Sequence, residues 1–188
     1  VDYTHDVIAE KALDFVRQNA AEPFFLYVPF TIPHLEYLVP EDSIVEYRGK
    51  FKEIELRAGH YAYTAEPFAS LAGMITRMDR DIGRLLALIS ELGLDDDTIV
   101  FFTSDNGGLE RGRDQDVDFD VFRCNDPLRG GKRDLYEGGI RVPFIARWPG
   151  RIPAHTTCAL PIVLTDLFAT CAAAAKYKRK TVRPEVKV

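Results

Sequence analysis

The sequence predicts an α/β fold in which a mostly parallel sheet is flanked by helices. Two continuous apolar runs, residues 24–28 and 98–103, are typical of strands that are buried on both faces. Between them, residues 66–92 carry one apolar stripe at alternate spacings of four and three, which indicates a long amphipathic helix. A strand, a crossover helix and a second strand in this order indicate a parallel, right-handed βαβ unit.

The remaining elements follow from local signals. An amphipathic helix is predicted over residues 5–19, and Pro23 ends that stretch. Pro67 suits the first turn of the long helix, and Gly93 suits its C-terminal cap. A third strand is predicted over residues 142–148, and a short helix follows Thr165.

Composition excludes several classes of function. The chain has 188 residues, enough for one domain with a substantial core, and its net charge of −5 argues against a nucleic-acid partner. No apolar run approaches the ~18 residues that are needed to span a bilayer. Residues 1–6 have neither the basic nor the apolar region of a signal peptide. The chain has three cysteines that lie far apart, Cys124, Cys158 and Cys171. They indicate neither a disulfide framework nor a zinc site, and we interpret them as buried or idle thiols.

Candidate site residues follow two of the predicted strands, where ligands bind in open α/β sheets. His34 comes after the strand over residues 24–30, and Asp105 and Asn106 come after the strand over 98–103. A carboxylate and an amide carbonyl are oxygen ligands of the kind that calcium and magnesium prefer. Taken alone, the segment 105–108 is also typical of a simple turn, and His34 of an exposed loop histidine.

Two further segments are ambiguous by themselves. Residues 128–143 contain two glycine pairs around Lys132 and several arginines, which suits either a loop that approaches an anion or a flexible solvated loop. The alternating aspartates of residues 114–120 resemble a calcium loop, but Phe119 and Asn125 occupy the positions where an EF-hand needs Gly and Glu. We therefore interpret residues 114–120 as a solvated acidic loop.

Taken together and in order, these segments resemble the sulfatase (arylsulfatase) family of the alkaline-phosphatase-like superfamily. The matching segments are residues 23–27 with Pro33-His34, Met78-Asp79-Arg80-Asp81, Ser104-Asp105-Asn106-Gly107, Arg129-Gly130-Gly131-Lys132 and Glu137-Gly138-Gly139 with Arg141-Val142-Pro143. The resemblance covers residues 1–175, as the C-terminal portion of the catalytic domain. It implies an incomplete alkaline-phosphatase-like fold, and the basic residues 176–188 are predicted to be a surface or disordered tail.

The resemblance implies a sulfuric ester hydrolase that acts on a small-molecule or saccharide sulfate ester. In the family, the residues matching Asp105 and Asn106 bind calcium or magnesium, and the lysine matching Lys132 contacts a sulfate oxygen. The histidine matching His34 contacts the sulfate and helps the alcohol to leave. Arg133 and Arg141 are assigned structural or substrate-rim roles. Many family members are exported to the periplasm, the extracellular space or the lysosome, although this sequence shows no export signal.

One departure from the family is decisive for activity. Family members use a formylglycine nucleophile made within a C/S-x-P-S/A-R motif, and the 188 residues contain no such motif. Met78-Asp79-Arg80-Asp81 is not a substitute for the family's early aspartate pair, because it is predicted to lie on the polar side of the long helix. We therefore expect this chain to be inactive alone, with an uncovered sheet edge through which it self-associates.

Two alternatives remain open at this point. The chain could be a non-catalytic fragment that keeps the sulfatase fold and acts in binding. It could also derive from a phosphonate or phosphate ester hydrolase of the same superfamily.

Overall fold

A computed structural model describes residues 2–56, 62–109 and 122–176. The chain divides into two compact units, Val1–Pro153 and Ala154–Val188. In the first unit, the helices are α1 (Thr4–Asn19), α2 (Glu41–Ile44), α3 (Pro67–Glu91) and α4 (Glu137–Ile140), and the strands are β1 (Val100–Thr103) and β2 (Phe144–Arg147). The described part of the second unit contains α5, Asp166–Ala174.

The two long helices are confirmed where the sequence predicts them. Helix α3 begins at Pro67 and ends in a left-handed Gly93, whose φ is +68°. Leu94 N donates to Ile89 O, and Gly93 N donates to Ser90 O, both at 3.0 Å. These two bonds form a Schellman motif, which satisfies carbonyls that the end of the helix would otherwise leave open.

Two apolar clusters form the core of the first unit. Helices α1 and α3 bury Leu13 and Val16 against Leu88 and Ile89. The second cluster consists of Tyr37, Leu56, Leu71 and Met74. Helix α2 lies so close to α3 that a Cβ on Gly73 would come within 2.7 Å of the Ser43 carbonyl oxygen.

The observed sheet joins the second and third predicted strands, and residues 24–30, which the sequence predicted in a parallel unit with residues 98–103, are not part of it. Strand β1 pairs antiparallel with β2, in a register that places Val100 opposite Arg147 and Thr103 opposite Phe144. The chain therefore leaves β1 and enters β2 at the same end of the sheet, without the crossover that a parallel pair requires. The predicted third strand is confirmed but is shorter, at four residues.

Residues 24–30 belong to no helix or strand and form no ladder with the described residues. Phe24 and Leu26 pack against the α1–α3 cluster, whereas Phe25 and Tyr27 are 73% and 76% exposed. The expectation that both faces are buried is wrong for this chain, because the two helices cover only one of them.

Other expectations meet the structure in part. Cys124 and Cys158 are exposed free thiols, so of the two alternatives, buried or idle, only the idle thiol is left for them, and it stays a prediction. In the described part of the chain, no helix is long and apolar enough to cross a membrane. The acidic loop 114–120 and the tail beyond residue 176 lie outside the described residues, so both interpretations stay predictions.

Candidate active site

The candidate site lies where β1 ends. Asp105 is exposed and Asn106 is half-buried. Ser104 Oγ donates to the Asn106 carbonyl oxygen at 2.9 Å, and Asn106 Nδ2 donates to Gly107 O at 2.9 Å. The second bond uses the amide nitrogen of Asn106 and not Oδ1, which is the atom that a hard cation would bind.

The glycines next to this turn pack against glycines from a later segment, and no open space lies between the two backbones. Gly107 N donates to Gly139 O at 3.0 Å, and Gly138 N donates to Arg129 O at 2.8 Å. A Cβ on Gly107 would lie 1.7 Å from the Gly138 carbonyl oxygen, so two backbones meet here with no room for a side chain. These contacts join two segments of the chain itself, and the approach of the glycine-rich loop to an anion stays a prediction.

This backbone packing sets the position of Lys132. The Lys132 amide donates to Gly108 O at 2.8 Å, which ties the lysine to the loop that carries Asp105 and Asn106. The next residue, Arg133, takes a left-handed conformation with φ of +78°. Arg141 lies 3.5 Å from Glu137 along α4. The assignment of these two arginines to structural or rim roles stays a prediction.

Lys132 and His34, 98 positions apart, meet at the site. Lys132 Nζ lies 3.0 Å from His34 Nε2, and His34 Nδ1 lies 3.3 Å from the Leu35 carbonyl oxygen. An ammonium can only donate, so Nε2 accepts and the imidazole is neutral with its proton on Nδ1. The tautomer is thus assigned from the partners of the two ring nitrogens.

The oxygen ligands that Asp105 and Asn106 offer are of the type that a hard cation binds, but two residues are too few to complete its coordination. Asp105 and Asn106 offer a carboxylate and an amide carbonyl, whereas calcium takes six to eight oxygen ligands. The exposure of Asp105 leaves room for further ligands and for water. These two residues could therefore hold calcium or magnesium only as part of a larger set of ligands.

A second cluster of possible metal ligands lies between α1 and α3. One ligand atom from each of His5, Asp6 and Asp81 lies within 4.8 Å of the others. Arg77 donates to both carboxylate oxygens of Asp6 at 2.6 Å, and Asp81 accepts from Arg80 and Arg84 at 3.1 Å. Since arginines already neutralise both carboxylates, this cluster is better explained as an ion-pair network than as a metal site.

Sequence reasoning missed the burial of that network. It placed Asp81 on the polar side of the long helix, but Asp81 is 1% exposed and accepts from His5 Nε2 at 3.0 Å. Burial acts against ionisation of Asp81, but hydrogen bonds from Arg80, Arg84 and His5 together lower its pKa. No local pattern signals this burial, because α1 supplies it from more than 60 residues earlier in the chain.

Comparisons with known proteins identify the class of fold and the family. The family model of the sulfatases matches residues 2–177. The chain therefore belongs to the sulfatase family, and its mixed α/β fold is alkaline-phosphatase-like.

Curated relatives share about a third of the residues. The chain is 33% identical over 174 residues to an N-acetylgalactosamine-6-O-sulfatase of Bacteroides thetaiotaomicron, which covers 91% of this chain and 30% of that protein. It is 34% identical over 170 residues to the steryl-sulfatase of Mus musculus, covering 88% of this chain and 23% of that protein. The chain thus spans less than a third of the length of these relatives.

Solved structures agree in fold. The crystal structure of Ps i-CgsB in complex with k-i-k-neocarrahexaose matches with a TM-score of 0.73 and 27% identity, covering 96% of this chain and 36% of that one. The PsFucS1 sulfatase from Pseudoalteromonas sp. matches with a TM-score of 0.66 and 28% identity, covering 90% and 29%. The incomplete fold that the sequence predicts is consistent with these coverages.

Proposed function

We propose that this chain provides the metal- and sulfate-binding part of a sulfuric ester hydrolase. Family membership supports the reaction class, since the curated relatives include N-acetylgalactosamine-6-sulfatases, steryl-sulfatases and an arylsulfatase. The observation that carries the proposal is the 3.0 Å contact of Lys132 Nζ with His34 Nε2. This contact joins a lysine and a histidine from distant segments, and the Lys132 amide is bonded to Gly108, two residues after Asn106, which supports a shared site.

In the proposed reaction, this chain binds and neutralises the sulfate group. The Lys132 ammonium turns from His34 Nε2 to a sulfate oxygen, where its charge offsets the charge that grows during attack at sulfur. A divalent cation, when bound, supplies Lewis-acid polarisation of the ester oxygens, with Asp105 and Asn106 among its ligands.

The departing alcohol needs a proton, and His34 is the proposed donor. Its Nε2 is freed when Lys132 turns to the sulfate, takes up a proton from solvent water and passes that proton to the leaving oxygen. The nucleophilic step has no residue in these 188 positions, since they contain no C/S-x-P-S/A-R motif. We therefore assign no covalent step, and none through formylglycine, to this chain.

The metal part of the proposal is tested by calorimetric titration with calcium, with magnesium as the second cation. Asp105→Ala and Asn106→Ala should each weaken calcium binding, because each removes one oxygen ligand. Asp79→Ala, which removes an exposed carboxylate on α3, is the matched control and should bind calcium like the unaltered chain. Equal affinities for all four proteins would count against the proposed ligands.

The substrate is proposed to be a sulfate ester, and a saccharide sulfate in particular. One relative is described as an N-acetylgalactosamine-6-O-sulfatase, and one solved neighbour is a complex with neocarrahexaose. An aryl sulfate assay of the 188-residue chain with calcium is expected to give no turnover, because no nucleophile is present. Metal-dependent turnover would overturn the missing-nucleophile argument.

A further inference from the structure

Asn125 makes two hydrogen bonds to one backbone unit of the candidate site. Its Oδ1 accepts from the Gly108 amide at 2.9 Å, and its Nδ2 donates to the Gly108 carbonyl oxygen at 3.0 Å. A carboxamide carries one acceptor and one donor group, so it can satisfy both backbone groups of a single residue. Asp in its place would lack the donor, and an apolar side chain would lack both groups.

The Gly108 carbonyl oxygen is also bonded to the lysine segment. It accepts from the Lys132 amide at 2.8 Å as well as from Asn125 Nδ2. One oxygen therefore joins the turn after β1, the segment around Asn125 and the proposed sulfate-binding lysine. Asn125 sits at the junction between the two segments that carry the candidate site.

The side chains of Cys124 and Asn125 pack so closely against Gly108 that its backbone has little room to move. A Cβ on Gly108 would come within 2.7 Å of the Cys124 Cβ and 3.2 Å of Asn125 Oδ1. The Asn125 segment thus presses directly on the backbone of Gly108. The carbonyl oxygen of Asn125 accepts from the Leu128 amide at 2.7 Å, which orders the chain that leads to Lys132.

We propose that Asn125 is a positioning residue, which holds the Gly108 peptide so that the Asp105–Asn106 pair and Lys132 face the same sulfate group. It contacts neither the cation nor the ester in this proposal, and it acts only through the backbone. The inference rests on the proposed function, because the alignment of the two segments matters only if both bind the same sulfate group. Partners that orient metal ligands typically change metal affinity by 10–100-fold when they are removed.

The test compares the unaltered chain with Asn125→Ala and Asn125→Gln. Glutamine keeps both polar groups but places them one methylene further from the backbone, and it serves as the second variant if Asn125→Ala does not fold. Asn19→Ala is the matched control, because Asn19 Nδ2 also donates to a backbone carbonyl, that of Phe15 at 2.8 Å, at the end of α1. Calcium affinity is measured by calorimetry, and amide hydrogen exchange by NMR.

Both Asn125 variants are expected to bind calcium at least about tenfold more weakly, and to speed exchange at the Gly108 and Lys132 amides. Asn19→Ala is expected to leave calcium affinity and both amides unchanged, whatever its effect on melting temperature. A merely structural Asn125 would lower the melting temperature and leave calcium affinity unaltered. Calcium affinities within twofold of the unaltered chain would therefore overturn the inference.

The two proposals can fail separately. If the unaltered chain binds no calcium, the proposed metal ligands are contradicted. The positioning inference is then decided by the Lys132 amide, because its exchange reports the bond to Gly108 without any metal. Unchanged exchange there in both Asn125 variants would contradict the positioning role.

Discussion

At the scale of single residues, Lys132 is the centre of the candidate site. Its backbone amide bonds Gly108 at 2.8 Å, and its ammonium lies 3.0 Å from His34. The side chain thus already has a partner, a neutral imidazole, that an anion could replace. A sulfate oxygen is a better acceptor for an ammonium than a neutral imidazole nitrogen, because it adds an attraction between opposite charges.

We predict that Lys132→Met weakens sulfate binding about tenfold, which corresponds to the loss of one charge-assisted hydrogen bond of roughly 1.4 kcal/mol. The measurement is an NMR titration with sulfate, followed at the His34 ring. Lys50→Met, which removes a lysine that lies over the Tyr47 ring, is the control and should titrate like the unaltered chain. Equal sulfate affinity in Lys132→Met would show that the lysine does not contact the anion.

His5 gives a residue-scale prediction about pH. Burial lowers its pKa below the ordinary value of 6.5, and the charge of Arg77 adds to the lowering. The hydrogen bond that His5 donates to Asp81 and the charges of Asp81 and Asp6 act the other way. The unfolded chain therefore takes up a proton near pH 6.5, and the folded chain does so only at lower pH. Stability is fully present above about pH 6.5 and falls as the pH drops below it.

The variant His5→Gln should lose part of this dependence, because glutamine does not titrate. The free energy of unfolding, measured in urea between pH 7.5 and 5, should fall more steeply for the unaltered chain than for the variant. Parallel curves would contradict the assignment of this dependence to His5.

At the scale of elements, the glycine contacts decide how the turn after β1 meets α4. A Cβ on Gly138 would lie 1.9 Å from the Gly130 carbonyl oxygen, which is backbone and cannot rotate away. Gly83 in α3 is the opposite case, since a Cβ there would have no atom within 4 Å. Substitution by alanine should therefore change the free energy of unfolding in opposite directions at the two positions.

We predict that Gly138→Ala lowers the free energy of unfolding by more than about 1 kcal/mol, because the backbones must separate. Gly83→Ala should raise it by roughly 0.5–1 kcal/mol, since alanine loses less conformational freedom in an exposed helix. Urea denaturation followed by fluorescence of Trp148, the single tryptophan, measures both. A neutral or stabilising Gly138→Ala would contradict the close backbone contact.

The long helices and the strands β1 and β2 were predictable from the sequence, but the short helices α2 and α4 and the pairing of the strands were not. Helix α3 was predicted over 66–92 and is observed over Pro67–Glu91, because its apolar stripe, its proline and its terminal glycine are all local signals. Strand β2 was also predicted, but its antiparallel pairing with β1 was not. Strand pairing depends on the path of the chain between the strands. An apolar run does not show which strand it will pair with, or whether the pair will be parallel or antiparallel.

At the scale of the whole molecule, residues 24–30 present an unpartnered apolar face. Phe25 and Tyr27 point away from the helices and are 73% and 76% exposed. Exposed aromatic side chains that lie near one another favour contact with another chain.

We predict that the 188-residue chain self-associates through this face. Light scattering should give a mass above the 21.2 kDa of one chain, and the double variant Phe25→Lys, Tyr27→Lys should restore the single-chain mass. Val45→Lys, at a residue that is 58% exposed beyond α2, is the control and should leave association unchanged. A monomeric unaltered chain would contradict this prediction.

The sequence by itself determined the family, the two long helices and the identity of the four candidate residues: His34, Asp105, Asn106 and Lys132. These are properties of residue type, order and short-range spacing. Only the tertiary structure decided that Lys132 meets His34, that Asn125 clamps Gly108 and that Asp81 is buried beside His5. The physical reason is that each contact joins segments 17 to 98 positions apart, so its existence depends on backbone packing and not on any local pattern.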